Sequence, residues 1–261
     1  MHLCCSIALL AALLPAAAFA QIGTQPNTFE LHINGKKIGK DVYTFAATKH
    51  GYKTMSHTEG SIHANDFDYK YTFTFDENYG YVDGARIGQD TNQQDSWLPS
   101  KDRKEMTVAA SAEGRTSSTF EPVGPDLVVL PAFEAGAAQA LLLLATTHPA
   151  PKDTYSVYLT SGYGAAGGSA PNPNAQPNPD ETLPPGQHCF TALWVKGTPF
   201  TGTLDGKPLN INSFMLAFGK FRWIFFADEQ NNLMQVNVSL LHASYIRENF
   251  KLDPPKPLMP R

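Results

Sequence analysis

The sequence predicts a mainly β protein in which a curved antiparallel sheet, a half-barrel, wraps around one apolar helix. Apolar and polar residues alternate with a period of two along most of the chain, as in FDYKYTFTF at residues 67–75, and this pattern is typical of half-buried strands. Tight-turn signals such as Asn34-Gly35 separate the alternating segments. Only one long segment, residues 132–147, breaks the period of two, and it is rich in Ala and Leu.

The first 20 residues predict a signal peptide. An apolar run from Ile7 to Leu14 is followed by Ala18-Phe19-Ala20, the small-x-small pattern that signal peptidase recognises. The run is too short to span a bilayer. We therefore expect an exported protein, periplasmic or secreted, in which residues 21–261 form a single β-rich domain with no transmembrane segment.

The first half of the remaining chain predicts a meander of antiparallel hairpins. In TFELHIN, residues Phe29, Leu31 and Ile33 share one face of a strand, and Asn34-Gly35 follows as a hairpin turn because both residues tolerate a positive φ. The other predicted strands of this half are KKIGKDVYTFAATK, YKTMSHTEGSIHAN, FDYKYTFTF, YGYVDGARIG, KEMTVAASA and RTSSTFEPV. Turn residues between them favour direct hairpin connections.

The segment 132–147 predicts a helix of about four turns. It lies between Pro131 and Pro149, at positions where proline starts and stops helices. Glu134 and Gln139 are almost its only polar residues, so nearly every side of the helix is apolar. A helix of this kind is enclosed by the protein rather than laid on its surface.

The second half of the chain predicts more strands around one irregular segment. Residues 162–187 are dominated by Gly, Pro and Asn, a composition typical of a flexible loop. A domain boundary is the alternative, but the residues that follow are few for an independent β domain. The predicted strands of this half are TYSVYLTS, CFTALWVKG, SFMLAFG, KFRWIFFA and NLMQVNVSL. Residues 253–261 form a Pro-rich tail.

Charge and cysteine content exclude several classes of protein. The net charge of −4 comes without basic clusters, so neither nucleic acid nor an anionic membrane surface is an expected partner. Of the three cysteines, only Cys189 remains after the signal peptide is removed, which excludes an internal disulfide. We expect Cys189 to be a small buried hydrophobe rather than a link to another chain.

No segment predicts a cofactor or metal site. Gly162, Gly164 and Gly167 match the dinucleotide-binding pattern, but they open into Pro- and Asn-rich residues that cannot form the required helix. His57, Glu59 and His63 share a parity that suits metal ligands, yet no zinc signature is present. We interpret them as a solvated strand face and expect neither a cofactor nor a metal ion.

The sequence does not predict catalysis either. It contains no G-x-S-x-G elbow, no H-E-x-x-H and no P-loop. His188 precedes Cys189 directly, so a strand points the two side chains to opposite faces and away from a nucleophile–base geometry. We therefore expect no catalytic residue, although the enzyme question stays open.

Aromatic stripes are the strongest functional signal. Every odd position from 67 to 75 is aromatic, and FRWIFF repeats the pattern at 221–226. Rings at these positions either form the core or line a hollow left between the sheet and the helix, which is how a small protein holds an apolar ligand. The candidate ligand-binding residues are Tyr69, Tyr71, Phe73, Phe75, Phe221, Trp223 and Phe225.

The layout of the chain resembles that of uncharacterised bacterial envelope proteins related to the LolA-like and LppX-like lipoprotein carriers. The resemblance lies in an N-G-x-x-I-G start and in a W…D…L…V finish within the late hairpin. These residues are Asn34, Gly35, Ile38 and Gly39, and Trp223, Asp228, Leu233 and Val236. The resemblance implies a curved half-barrel whose apolar concave face binds acyl chains.

The expected function is therefore non-catalytic binding of an apolar or amphiphilic, lipid-like ligand between the sheet and the helix. A first alternative is an envelope scaffold whose protein partner meets an exposed strand edge or the Pro-rich tail. A second is a hydrolase that uses the carboxylates of Asp66, Asp68 and Asp76, which share one parity. Nothing in the sequence fixes their separation at the distances that glycoside cleavage requires.

Overall fold

The computed structural model of the chain describes residues 25–62, 65–89, 93–147, 152–160 and 188–254. It is mainly β, with 66% of residues in strands, and its large curved antiparallel sheet is not closed. The predicted fold class, a half-barrel wrapped around one helix, is confirmed. The signal peptide at 1–20, the loop at 162–187 and the tail beyond residue 254 lie outside the described residues.

The described residues form seventeen strands and one α-helix. The first nine strands are β1 (Asn27–Ile33), β2 (Lys36–Thr48), β3 (Gly51–Ile62), β4 (Asn65–Phe75), β5 (Tyr81–Gly88), β6 (Gln94–Pro99), β7 (Glu105–Ala112), β8 (Arg115–Pro122) and β9 (Leu127–Leu130). The helix α1 (Ala135–Thr147) follows. The remaining strands are β10 (Thr154–Leu159), β11 (Cys189–Lys196), β12 (Phe200–Leu204), β13 (Lys207–Phe218), β14 (Phe221–Ala227), β15 (Leu233–Val238), β16 (Ala243–Arg247) and β17 (Phe250–Leu252).

The main sheet runs from β8 at one edge to β9 at the other. From β8 back to β1, each strand pairs with the strand that precedes it in the chain. β1 then pairs with β16, and the order continues through β15, β14, β13, β11 and β10 to β9. All of these pairs are antiparallel except β9 with β10. The N-terminal strand therefore lies in the middle of the sheet, beside a strand from the C-terminal end.

Positive backbone φ angles fix the hairpin turns that the sequence predicted. Asn34 and Gly35 have φ values of 50° and 74°, and Glu113 and Gly114 have values of 51° and 76°. These are the left-handed conformations that two-residue hairpin turns require. Asp205 and Gly206 adopt the same conformation, at 51° and 76°, and connect β12 to β13 in a hairpin that the sequence prediction did not include.

Helix α1 is enclosed, as the sequence predicted. Every residue from Ala135 to Leu143 is buried, and the helix contacts β2, β3, β9 and β15. It begins three residues later than predicted because Phe133 has a φ of 65°, a value outside the helical region. Within the described residues, no helix is long and apolar enough to cross a membrane.

The C-terminal strands are covered on both faces. One face belongs to the main core, which also contains α1. Strands β12 and β17 pair with each other, and β12 pairs with the start of β13, to form a small sheet over the other face. A second hydrophobic cluster fills the space beneath it, and its buried members are Ile211, Phe226, Met234 and Phe250. This arrangement explains why both parities of β14 are apolar.

Candidate functional site

Most of the seven rings that the sequence nominates are buried in the main core together with α1. We call them the ring face, and its members are Tyr69, Tyr71, Phe73, Phe75, Phe221, Trp223 and Phe225. All but Tyr69 are at most 6% exposed, whereas Tyr69 is half-buried and packs against the core. Their place in the interior is a finding, and ligand binding by them stays a prediction.

A chain of ring contacts joins the two aromatic stripes. The Phe67 ring lies 6.3 Å from the Tyr69 ring and 5.9 Å from that of Phe133, centre to centre. Phe133 lies 6.2 Å from Tyr245, which lies 6.3 Å from Trp223. Sequence reasoning missed Phe133, which stands outside any alternating segment. It also missed Tyr245, although the pattern of ASYIR contains the signal.

Polar contacts hold the start of α1 against the sheet. Oδ2 of Asp41 on β2 accepts a hydrogen bond of 2.8 Å from the Ala135 N–H, and its Oδ1 accepts one of 2.7 Å from the Thr58 hydroxyl on β3. The Tyr245 hydroxyl on β16 accepts one of 2.9 Å from the Phe133 N–H. The first turn of a helix has N–H groups without intrahelical partners. Side chains from β2 and β16 accept from two N–H groups at and just before the start of α1, and Thr58 on β3 supports Asp41.

Gln139 joins the middle of α1 to the β14–β15 hairpin. Its side-chain N–H donates to the Asn231 carbonyl at 2.9 Å, and its Oε1 accepts from the Leu233 N–H at 2.7 Å. The Tyr43 hydroxyl lies 3.5 Å from the same oxygen. We call Asp41, Glu134, Gln139 and Tyr245 the helix anchor, because these side chains fix α1 by directional contacts.

Glu134 is the most unusual member of the helix anchor. Its carboxylate oxygens accept hydrogen bonds of 3.0 Å and 2.6 Å from the N–H groups of Gly136 and Ala137. Burial nevertheless raises the pKa of Glu134 to about 7. Burial and then the charge of Glu134 also raise the pKa of Asp41 well above its usual range. The two carboxyl groups therefore oppose each other's ionisation.

The interior also contains an ion pair and a polar stripe. Arg86 donates to Oδ2 of Asp95, through Nε at 2.7 Å and through a second guanidinium nitrogen, and both residues are 6% exposed. The Arg86 guanidinium lies 4.7 Å from the centre of the Tyr69 ring. On β3, Thr54 is fully buried and its hydroxyl has no hydrogen-bond partner among the described residues. The concave side is therefore amphiphilic rather than uniformly apolar.

Two of the cavities of the described structure are lined by residues outside the ring face. One of about 840 Å³ lies where the β8–β9 connection meets β10 and β11, and it includes Cys189 and the chain from Pro122 to Asp126. The other, of about 450 Å³, lies between β2, β3 and β4 and includes Lys40, Glu59 and Phe67. Neither of these two cavities is lined by one of the six buried rings.

The structure describes two of the three residues His57, Glu59 and His63 that share a parity in the sequence. His57 and Glu59 point to the same face of β3, and their Nε2 and Oε2 atoms are 3.8 Å apart. His63 lies outside the described residues. Asp68, on the neighbouring strand β4, takes its place, with Oδ1 2.9 Å from His57 Nε2. Sequence reasoning missed this third residue because cross-strand register is not visible in local spacing.

The three carboxylates of the hydrolase alternative are not brought together. Asp66 and Asp68 lie near the start of β4, whereas Asp76 follows its end, roughly 26 Å away from Asp68 at the usual rise per residue. Oδ1 of Asp76 accepts hydrogen bonds of 2.9 Å and 2.8 Å from the N–H groups of Asn78 and Gly80. Asp76 therefore shapes the β4–β5 turn.

Cys189 and His188 make separate contacts. Cys189 Sγ lies 3.1 Å from the Ser156 hydroxyl, and His188 Nδ1 lies 3.3 Å from the Leu159 carbonyl. Cys189 is half-buried at the edge of the larger cavity and packs against the main core, so the expected burial of its side chain is only partial. The glycines at 162, 164 and 167 lie outside the described residues.

Comparison with protein-family models, with curated proteins and with solved structures finds no match for this chain. Its function is therefore argued from the geometry and the chemistry of its own residues.

Proposed function

We propose that this protein is a secreted or periplasmic, non-catalytic binder of an apolar or amphiphilic, lipid-like ligand, which it holds between the curved sheet and α1. One observation carries the proposal. The sheet is open, and the aromatic side chains on its concave side are covered by a single helix that is apolar on nearly every side. The resemblance of the layout to the lipoprotein carriers supports the same function.

The contacts between α1 and the sheet are of a kind that an acyl chain can replace. Leu141, Leu142 and Leu143 are at most 1% exposed, and such side chains gain about 1.5–3 kcal/mol each from burial. This gain is not directional, so methylene groups that cover the same rings recover much of it. The hydrogen bonds of the helix anchor hold the N-terminal half of α1, so the C-terminal half can move without breaking those bonds.

Polar groups beside the ring face suit an amphiphilic ligand. Tyr69 is the only half-buried member of the ring face, and the Arg86–Asp95 pair lies against it. An acyl chain along the buried rings would place its polar head near these groups. The buried Thr54 hydroxyl offers a further hydrogen bond, because no described residue pairs with it.

The direct test is the recovery of bound lipid. We expect mild solvent extraction of the purified protein, followed by mass spectrometry, to release a lipid in stoichiometric amount. We also expect the extracted protein to take up a hydrophobic fluorophore, which the lipid then displaces. A clean extract together with no uptake of the fluorophore would contradict the proposal.

A pair of variants separates ligand binding from general loosening of the core. Gln139→Ala removes the bridge from α1 to the β14–β15 hairpin, and we expect it to change fluorophore uptake. Met234→Ala is the control, because Met234 is 1% exposed but faces the second hydrophobic cluster. If both variants change uptake equally at equal loss of stability, the fluorophore reports a loosened core instead of a site behind α1.

A specific observation also favours the scaffold alternative. Among the described residues, strand β8 pairs only with β7. Most of its residues are exposed, and Phe120 is 70% exposed. Leu98, two strands away and 57% exposed, lies in the same cross-strand row. An open edge beside exposed apolar side chains is a common site for pairing with another chain. Under this alternative, Phe120→Ser abolishes capture of a defined envelope protein, whereas Leu193→Ser on β11 leaves it intact.

A further inference from the structure

The strongest unexplained cluster of side chains lies on the face of β3 and β4 opposite the ring face. His57 Nε2, an oxygen of Glu59 and an oxygen of Asp68 all lie within 4.8 Å of one another, and no other such group of three occurs among the described residues. The three side chains are 41%, 40% and 30% exposed. We propose that His57, Glu59 and Asp68 bind a divalent transition-metal ion such as Zn²⁺.

The register of the two strands is the first argument. Glu59 and Asp68 are direct cross-strand partners, and like charges at directly opposite positions destabilise a sheet. A cation between them removes that repulsion. His57, two residues along β3, points its Nε2 at Asp68 Oδ1, so one nitrogen and two oxygens converge on the space where a cation would bind.

The second argument is that Glu59 is held in the orientation that a ligand needs. Lys40 Nζ on β2 lies 3.0 Å from Glu59 Oε1, which leaves Oε2 facing His57. Outer contacts that orient a metal-binding carboxylate are a regular feature of metal sites. Lys70 is the cross-strand partner of His57. Its ammonium group donates a hydrogen bond of 2.9 Å to Gln89 rather than to Glu59 or Asp68.

The donor set indicates the class of metal ion. An imidazole with two carboxylates suits Zn²⁺ and related first-row ions, whereas Ca²⁺ and Mg²⁺ favour sites made of oxygen atoms alone. Three protein ligands leave at least one coordination position for water, and the cavity of about 450 Å³ beside Glu59 and Asp68 gives that position access to solvent.

The chain contains a matched control for this site. On β1, His32 Nε2 lies 3.3 Å from Glu30 Oε2, and Lys37 Nζ lies 2.5 Å from Glu30 Oε1. The pair thus repeats the arrangement of His57, Glu59 and Lys40. It differs because, among the described residues, no second carboxylate lies close enough to His32 and Glu30 to complete a group of three ligands. Asp68 therefore distinguishes the two pairs. It gives His57 and Glu59 a third ligand, whereas His32 and Glu30 form only an ion pair.

The test is titration of the purified full chain with Zn²⁺ alone, followed by equilibrium dialysis. We expect His57→Ala and Asp68→Asn each to weaken binding by at least about tenfold, while His32→Ala leaves it unchanged. All three residues lie on strand surfaces, and circular dichroism verifies that each variant folds. The proposal is overturned if the wild-type chain binds no Zn²⁺, or if His32→Ala weakens binding as much as His57→Ala does.

A second measurement does not depend on any variant. In the NMR spectrum of the wild-type protein, we expect Zn²⁺ to shift the imidazole signals of His57 at lower concentration than those of His32. Simultaneous shifts of both histidines would identify non-specific surface binding and overturn the proposal. Ca²⁺ in the same titration is expected to leave the imidazole signals unchanged.

Discussion

Glu134 has a pKa well above the usual range of a glutamate side chain. Its carboxyl group is 1% exposed, and burial raises its pKa to about 7 from the ordinary value of 4.5. A carboxyl group with a raised pKa binds more protons in the folded than in the unfolded protein. Its favourable contribution to stability is therefore present below about pH 4.5 and is lost as the pH rises through about 7.

This linkage predicts a pH-dependent stability. We expect the free energy of unfolding, measured by urea denaturation, to fall between pH 4.5 and 7.5, with Glu134 contributing on the order of 3 kcal/mol of the fall. Glu134→Gln should reduce the fall, because a neutral amide does not titrate. Asp41, whose pKa burial also raises, should change stability in the same direction as the pH rises. An unchanged pH dependence in Glu134→Gln, matching that of the exposed control Glu105→Gln, would contradict this account.

The buried pair of Arg86 and Asp95 gives a second prediction for single residues. Arg86→Met leaves the Asp95 carboxylate buried without its partner, and we expect a loss of about 3–5 kcal/mol in the free energy of unfolding. The double variant Arg86→Met/Asp95→Leu removes both charges, so it should lose less than either single variant. Chemical denaturation of the three variants measures this difference, and additive losses would argue against the pairing.

Some of the residues of the candidate site were visible in the sequence. Tyr71 and Phe73 follow from the alternation in FDYKYTFTF, and both are at most 3% exposed. Asp41 shares its parity with Tyr43 and Phe45, so an acidic residue on an apolar face was a signal that local reasoning left unused. The contact between Asp41 and the start of α1 was not visible, because it joins residues 94 positions apart.

Helix α1 is the element on which the proposed function depends. Leu142 is fully buried, whereas Leu144 on the same helix is half-buried. We expect Leu142→Ala to lower the free energy of unfolding by about 2–5 kcal/mol, because the core collapses only partly into the cavity that is left. Leu144→Ala, the matched control, should cost clearly less. Equal losses measured by chemical denaturation would mean that α1 is not enclosed as described.

Long alternating segments predicted their strands well, and short ones did not. The segment FDYKYTFTF corresponds to β4 to within two residues at its start. Strands β6, β9, β12, β16 and β17, of three to six residues each, were not predicted. A period of two needs several repeats to be recognised. These strands are defined by the neighbours with which they pair, and their neighbours are distant in the chain.

The order of the whole sheet was beyond sequence reasoning for the same cause. Phe29 on β1 pairs with Arg247 on β16, and no local pattern indicates that pairing. Because β16 also contributes Tyr245 to the helix anchor, it joins the two halves of the molecule. Curvature of the sheet, by contrast, was predicted correctly from the enclosed helix and the aromatic stripes.

A truncation tests the role of β16. A chain that stops at His242 lacks β16 and β17, so β1 loses one neighbour and Phe133 loses its contact with Tyr245. We expect this chain to show no cooperative unfolding transition in circular dichroism. A chain that ends at Pro254 keeps every described strand and should unfold like the full chain. A cooperative transition in the shorter chain would show that the β1–β16 pairing is dispensable.

The position of β1 beside β16 also governs how the protein is made. The second neighbour of β1 becomes available only after residue 247 has been added. Until then Phe29 and Leu31, which are fully covered in the finished molecule, lack part of their cover. Nascent chains in this condition aggregate unless they are protected. We therefore expect the newly made polypeptide to be prone to aggregation until β16 is in place.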